Sequence, residues 1–186
     1  YGKVIVINDG SKDQTSFLAK KSGAIVIDHA YNLGYESALN SGFKKASDLG
    51  FEFAITLDAD GQHDPLYINK FLDELLLGVD IVIGIRDFKQ RFSEIIFSFF
   101  TFYKWGIDDP LCGFKAYRLS LYRSCGFFDR NNLIGTELML FGVSNKFKFS
   151  QININCKKRI GNSKFGNRIK ANLKILRALS FAIFNF

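Results

Sequence analysis

Four short apolar runs, Lys3 to Ile7, Ala24 to Ile27, Phe53 to Leu57 and Asp80 to Ile83, alternate with segments of helical character over the first 86 residues. None of the runs alternates cleanly between apolar and polar, which is the pattern of strands buried on both faces. The intervening stretches, Asp13 to Lys21, Tyr35 to Asp48 and Leu66 to Leu77, are each closed by a glycine: Gly23, Gly50 and Gly78. Strand and helix in turn predict an α/β fold with a mainly parallel central sheet flanked by helices. Ligands of such sheets bind beyond the carboxyl ends of the strands. Asp9, Asp58, Asp60 and Arg86 all stand at those ends.

The run from Phe53 to Pro65, FAITLDADGQHDP, carries the sharpest chemistry. Residues i and i+2 of an extended chain point the same way, so Asp58 and Asp60 can face one point just past the strand, with Gln62 close behind. Hard oxygen ligands converging there suit Mg²⁺ or Mn²⁺, which keeps open positions for substrate phosphates. Asp64-Pro65 then supplies an N-cap and a first-turn proline. His63 can touch metal or phosphate or be a plain surface residue; His29 reads as structural.

Further along, Arg91 to Trp105 reads as an aromatic-rich helix, fit for the core or for a membrane interface. Asp109 to Lys115 forms a turn into a strand, Gly135 to Val143 a helix and Phe149 to Asn155 another strand. From Asn167 the pattern is a basic amphipathic helix, with Ile169, Leu173, Leu176 and Leu179 at helical spacing. This divides the chain into a catalytic unit, residues 1–166, and a C-terminal helix, residues 167–186, suited to a membrane interface. All 18 acidic residues lie at or before Glu137. The first 137 residues sum to −3, and the rest carries ten Lys and Arg without an acid, giving +7 overall. An acid-free tail implies an anionic partner: a membrane surface, nucleic acid or a phosphorylated substrate. No recognition motif accompanies the basic residues, which argues against nucleic acid. The scattered Cys112, Cys125 and Cys156 match neither a zinc site nor a disulfide framework. No run of about 18 apolar residues is long enough to span a bilayer.

Seven segments in order, NDGSKDQT (8–15), NLGYESALNSG (32–42), DADGQH (58–63), GIR (84–86), DPLCGFKAYR (109–118), GTELML (135–140) and RIGNSKFG (159–166), resemble family-2 glycosyltransferases. They are most similar to the branch that makes polyprenyl-phosphate sugars, such as dolichyl-phosphate mannosyltransferase. The resemblance implies a GT-A nucleotide-binding fold, with the family's opening strand missing from this sequence. It also implies roles. Asp9 and Asp13 would contact the nucleotide, and Asp58, Asp60 and Gln62 would hold Mg²⁺ or Mn²⁺ on the donor diphosphate. Asp109, Gly113, Lys115 and Glu137 would shape the sugar pocket. Arg86, Arg159, Ser163 and Lys164 would bind the acceptor phosphate, with Asp60, Arg86, Arg159 and Lys164 carrying catalysis.

The chemistry of the acceptor favours the same branch. A hydroxyl acceptor must lose a proton on attack and needs a carboxylate base, which relatives often place in a Glu-Asp pair; here Leu138 follows Glu137. A phosphate monoester, with a second pKa of about 6, is already largely a dianion at neutral pH. The expectation is inverting transfer of a hexose from a GDP- or UDP-linked donor to a polyprenyl phosphate, at the cytoplasmic face of a membrane. Two alternatives stay open: transfer to a saccharide hydroxyl, and a non-catalytic module that binds anionic surfaces.

Overall fold

The structure, a computed structural model, describes residues 2–89, 91–157 and 168–186. Strand β1 (Ile5–Asp9), helix α1 (Thr15–Lys21), β2 (Ile25–His29) and α2 (Tyr35–Asp48) come first. Next are β3 (Phe53–Thr56), a 3₁₀ turn (Pro65–Tyr67), α3 (Ile68–Leu76), β4 (Ile81–Arg86) and α4 (Phe92–Trp105). The chain closes with β5 (Lys115–Arg118), α5 (Leu119–Cys125), α6 (Glu137–Ser144), β6 (Phe149–Ile154) and α7 (Arg168–Asn185). The strands and helices expected from hydrophobic pattern thus recur within a few residues, α2 with both ends unchanged. The expected Leu66 to Leu77 helix starts as the 3₁₀ turn, where the Asp64 carboxylate accepts from the Leu66 N–H at 3.0 Å. Helix α5 was not expected, because RLSLYRSC follows β5 with no turn residue to separate them.

The sheet strands run mainly parallel, with one reversed strand. One sheet is the parallel pair β1–β2; the other has the order β3-β5-β4-β6. Strand β5 runs antiparallel to both β3 and β4, and only β4–β6 is parallel within that sheet. The alternation of KAYR is identical in either direction, so pattern alone carries no sign of its polarity. No strand pairing joins the two sheets among the described residues. Helix α2 links them: Ile7 lies against Gly42, and the next residue, Phe43, stacks edge-on to Tyr117 of β5 at 5.5 Å.

Side-chain alternation in the larger sheet divides the core in two. Ile81 and Ile83 of β4 and Tyr117 of β5 face a cluster with Phe43, Phe97, Leu138 and Ile175 from α2, α4, α6 and α7. Val82 and Ala116 face the opposite side, where Phe71 and Leu75 of α3 pack with Phe114 and Ile154. The buried face of α7, Ala171, Ile175, Ala178, Leu179 and Ala182, belongs to the first cluster.

Phe71 is fully buried and stacks on Phe114 with ring centroids 4.3 Å apart. Phe71→Ala is expected to destabilise the fold by about 3–5 kcal/mol in urea unfolding, since it removes a fully buried aromatic ring from that cluster and leaves a cavity.

Candidate active site

Strand β3 ends at Thr56, and the following turn carries Asp58, Asp60, Gln62 and His63. Antiparallel β5 sets its N-terminal end beside this turn: Thr56 pairs with Lys115, and the Thr56 hydroxyl donates to the Gly113 carbonyl at 2.7 Å. The Asp58 carboxylate lies directly against the Gly113 Cα. A Cβ at position 113 would meet Asp58 Oδ2 at 2.6 Å, so an alanine there must displace the carboxylate. Asp60 Oδ1 accepts from the Gln62 N–H at 3.0 Å, which tightens the turn. His63 is buried, and its Nδ1 accepts from the Asp58 N–H at 3.2 Å, leaving the proton on Nε2. Burial pushes the His63 pKa down, against the opposing pull of Asp58 and Asp60. Its role is therefore to hold the turn in its neutral form.

Among the described residues no three His, Cys, Asp or Glu side chains converge as a closed metal cage. Two carboxylates on one tight turn, one half-exposed and backed by a bare glycine, fit the other arrangement. Mg²⁺ and Mn²⁺ are commonly held by one or two carboxylates with the remaining positions left to phosphate and water. Lys115, fully buried nearby, has its pKa pushed down to about 8 by burial, against the attraction of Cys112 and Asp109.

Arg86, expected to clamp phosphate, has internal partners instead. Its Nε and Nη2 donate to the two oxygens of Asp109 at 2.8 and 2.9 Å, and Nη2 also donates to Glu94 at 3.0 Å. Arg91 Nη1 donates to the other Glu94 oxygen at 2.8 Å. Asp109 is only 1% exposed, and burial of the Asp109 and Glu94 carboxylates calls for cations, which Arg86 supplies to both and Arg91 to Glu94. Burial opposes the Arg86 charge, but Asp109 and Glu94 hold its pKa above the ordinary value. This network anchors the loop that delivers Gly113 to Asp58.

Asp9 serves the fold in a similar way. Its oxygens accept from the Leu33 and Gly34 N–H groups at 2.8 and 2.9 Å and meet His29 Nδ1 at 2.7 Å, while His29 Nε2 meets Ser41. Burial raises the Asp9 pKa, yet these hydrogen bonds outweigh it and leave it lowered. Asp13 is exposed and accepts from the Thr15 N–H ahead of α1. Glu137 is 3% exposed and accepts from the Arg130 and Asn131 N–H groups at 2.7 and 2.8 Å and from Asn131 Nδ2. These three hydrogen bonds brace that loop. Beside it lies Asp129, which no sequence motif singled out. Asp129 accepts from the Leu133 and Gly135 N–H groups, and between them Ile134 adopts φ +58°, a strained left-handed conformation for a β-branched residue. Arg159, Ser163 and Lys164 lie outside the described residues.

Residues 3–129 match the family model described as Glycosyl transferase family 2. The chain belongs to this family. An uncharacterized protein of Methanocaldococcus jannaschii is 35% identical over 130 residues, covering 63% of this chain and 54% of its own length. The chain thus spans about half of that relative. A UDP-N-acetylglucosamine–dolichyl-phosphate N-acetylglucosaminyltransferase of Methanococcus voltae is 28% identical, over 83% of this chain and 74% of that protein. Among solved structures, glucosyl-3-phosphoglycerate synthase from Mycobacterium tuberculosis, in complex with Mn²⁺, UDP and glucosyl-3-phosphoglycerate, superposes with a TM-score of 0.76 at 17% identity. That match covers 97% of this chain and 68% of the other, and shows the GT-A fold. The Asp58–Asp60 turn of this family-2 chain sits where β3 ends, at the carboxyl edge of the sheet.

If Arg86 is an internal partner, Arg86→Ala strips buried Asp109 of its cation and leaves Glu94 with Arg91 in place of two, and is expected to cost about 3–5 kcal/mol in urea unfolding; a phosphate clamp would leave ligand-free stability unchanged. A second expectation concerns Asp129, whose carboxyl burial pushes up to about 6 from 3.8, aided by the charges of Glu137 and Glu36. Between those values the folded chain keeps a proton that the unfolded chain has released. The stability from this group is thus complete below pH 3.8 and lost as pH rises through about 6. Urea unfolding across that window should show wild type losing stability relative to Asp129→Asn as pH rises.

Proposed function

We propose that this family-2 transferase moves a hexose, with inversion, from a GDP- or UDP-linked donor to a polyprenyl phosphate at a membrane surface. The observation that carries this reading is the state of Glu137. Three donors bind its carboxylate, it is buried, and the next residue is the fully buried Leu138. A hydroxyl acceptor would require a positioned base, and this carboxylate is committed elsewhere. A phosphate acceptor brings its own negative oxygen and does not need one. The dolichyl-phosphate transferase named among the relatives supports the same acceptor class.

In this reading a phosphate oxygen of the acceptor attacks the anomeric carbon as the bond to the donor's diphosphate oxygen breaks, and the nucleoside diphosphate leaves. Asp58, Asp60 and Gln62 would hold the divalent cation, Mg²⁺ or Mn²⁺. Bound there, it would neutralise charge developing on the leaving diphosphate. Gly113 and the Arg86–Asp109 pair keep Asp58 aimed, and Lys115 places a cation behind the carboxylates. Asp13 would face the nucleotide. Arg159, Ser163 and Lys164 would receive the acceptor phosphate and lessen its repulsion from the donor.

The test is sugar transfer in detergent from a panel of nucleotide sugars to a short polyprenyl phosphate. Chelation with EDTA and Asp60→Ala should each lower transfer by at least about 10²-fold. Glu137→Gln, corrected for folded fraction, should stay well inside the roughly 10²–10⁴-fold loss that follows removal of a general base. Turnover with saccharide acceptors alone, or a folded but dead Glu137→Gln, would overturn the reading.

A further inference from the structure

Helix α4 buries Ser93, Glu94, Phe97, Ser98 and Thr101 and turns the opposite face outward. That outward face is apolar: Phe92 is 73% exposed, Phe99 72% and Tyr103 86%, with Ile95 and Phe102 between them. Spacings of three, four and seven residues make this one continuous stripe on the helix. Helix α7 packs beside α4, with the Ser93 N–H donating to Asn172 Oδ1 at 3.3 Å. It repeats the design: Ala171, Ile175 and Ala178 are buried, while Ile169, Leu173 and Ile183 face out. Two neighbouring helices thus expose large apolar side chains in stripes rather than singly, the pattern of an interaction surface.

We infer that the outward faces of α4 and α7 form a docking surface for the interfacial layer of a bilayer containing anionic lipid. Charge decides the occupant. Lys170 and Arg177 flank the α7 stripe, and no acidic residue follows Glu137 anywhere in the sequence. A second copy meeting this face across a two-fold axis would set the cations of α7 against themselves. A lipid surface of negative charge attracts them, at about 1 kcal/mol for each Lys or Arg near the headgroups. Length sets the mode of contact. At 14 residues α4 extends about 21 Å, short of a hydrocarbon core of about 30 Å, and none of the described helices is long and apolar enough to cross. The helix therefore lies in the plane, with its stripe among the upper acyl carbons. Trp105 ends the helix with Lys104 over its ring at 4.8 Å, an amphipathic pair suited to the headgroup boundary. Between Ile95, Phe99 and Phe102 lies a groove of about 230 Å³, lined also by Lys89 and Asp108.

The inference rests on the proposed lipid-phosphate acceptor only for its purpose, and its test uses no sugar donor. Trp105, the single tryptophan, is replaced by Phe, and a reporter is placed at Phe99→Trp or, just past α3 on the other face of the sheet, at Leu77→Trp. Each chain is mixed with vesicles of phosphatidylcholine and phosphatidylglycerol whose acyl chains carry bromine. Trp at position 99 should be quenched and Trp at 77 should not. Lys170→Gln with Arg177→Gln should weaken the quenching and its dependence on salt, with the melting temperature unchanged. Equal quenching at both positions, quenching indifferent to phosphatidylglycerol, or none at 99 while the chain self-associates would each overturn the inference. Loss of quenching with sugar transfer intact in detergent would remove the docking face and leave the proposed reaction standing.

Discussion

The contact between the Asp58 carboxylate and the bare Cα of Gly113 is the constraint on which the site is built. It exists because β5 runs antiparallel between β3 and β4. That polarity brings the loop before β5 to the carboxyl ends of its two neighbours, where Thr56, Asp58 and Arg86 emerge. A parallel strand would have sent the same loop to the opposite edge of the sheet. Polarity of one four-residue strand thus decides whether 109–115 can meet the Asp58 turn at all.

The loop needs an anchor, and the Arg86–Asp109–Glu94 group supplies it at a cost. Three charges have left water, a penalty that their attraction only roughly offsets, so such groups contribute more to placement than to net stability. The geometry bears this out in its directionality. Arg86 donates from its backbone N–H as well as its side chain to Asp109, locking the end of β4 to the start of the loop. The Asp9 network does for the β2–α2 connection what Arg86 does for the β4–β5 connection: a carboxylate at a strand end gathers the N–H groups of a neighbouring turn.

Much of this was legible in the residues. Apolar runs closed by glycine located α2 and the strands, and D-x-D after a buried strand located the Asp58 turn, because both patterns arise from local geometry. What was hidden depended on partners far along the chain. Arg86 at a strand end looks the same whether its guanidinium meets a phosphate or Asp109, 23 residues on. KAYR hides its direction, and α5 follows it without a boundary. Asp129 carries no motif at all; its importance comes from the left-handed Ile134 that it brackets, a feature no spacing rule reveals. The seven ordered segments found the family, but the individual duties of Asp9, Arg86, Asp109 and Glu137 emerged only once their hydrogen bonds could be counted.

The separation of the two sheets carries a dynamic consequence. A two-stranded sheet has only edges, and β1 and β2 are half-buried along most of their length whereas the first four residues of β4 are fully buried. Their attachment to the remainder runs through α2 and through Ile5, which packs against the main core, so opening this N-terminal lobe exposes little of that core. Amide protons of β1 and β2 would exchange with solvent through a partial unfolding cheaper than the global one, while those of β4 would wait for the whole molecule. The lobe that carries Asp9 and Asp13 is therefore the compliant half of the protein, and ligand binding there would be felt first as slowed exchange.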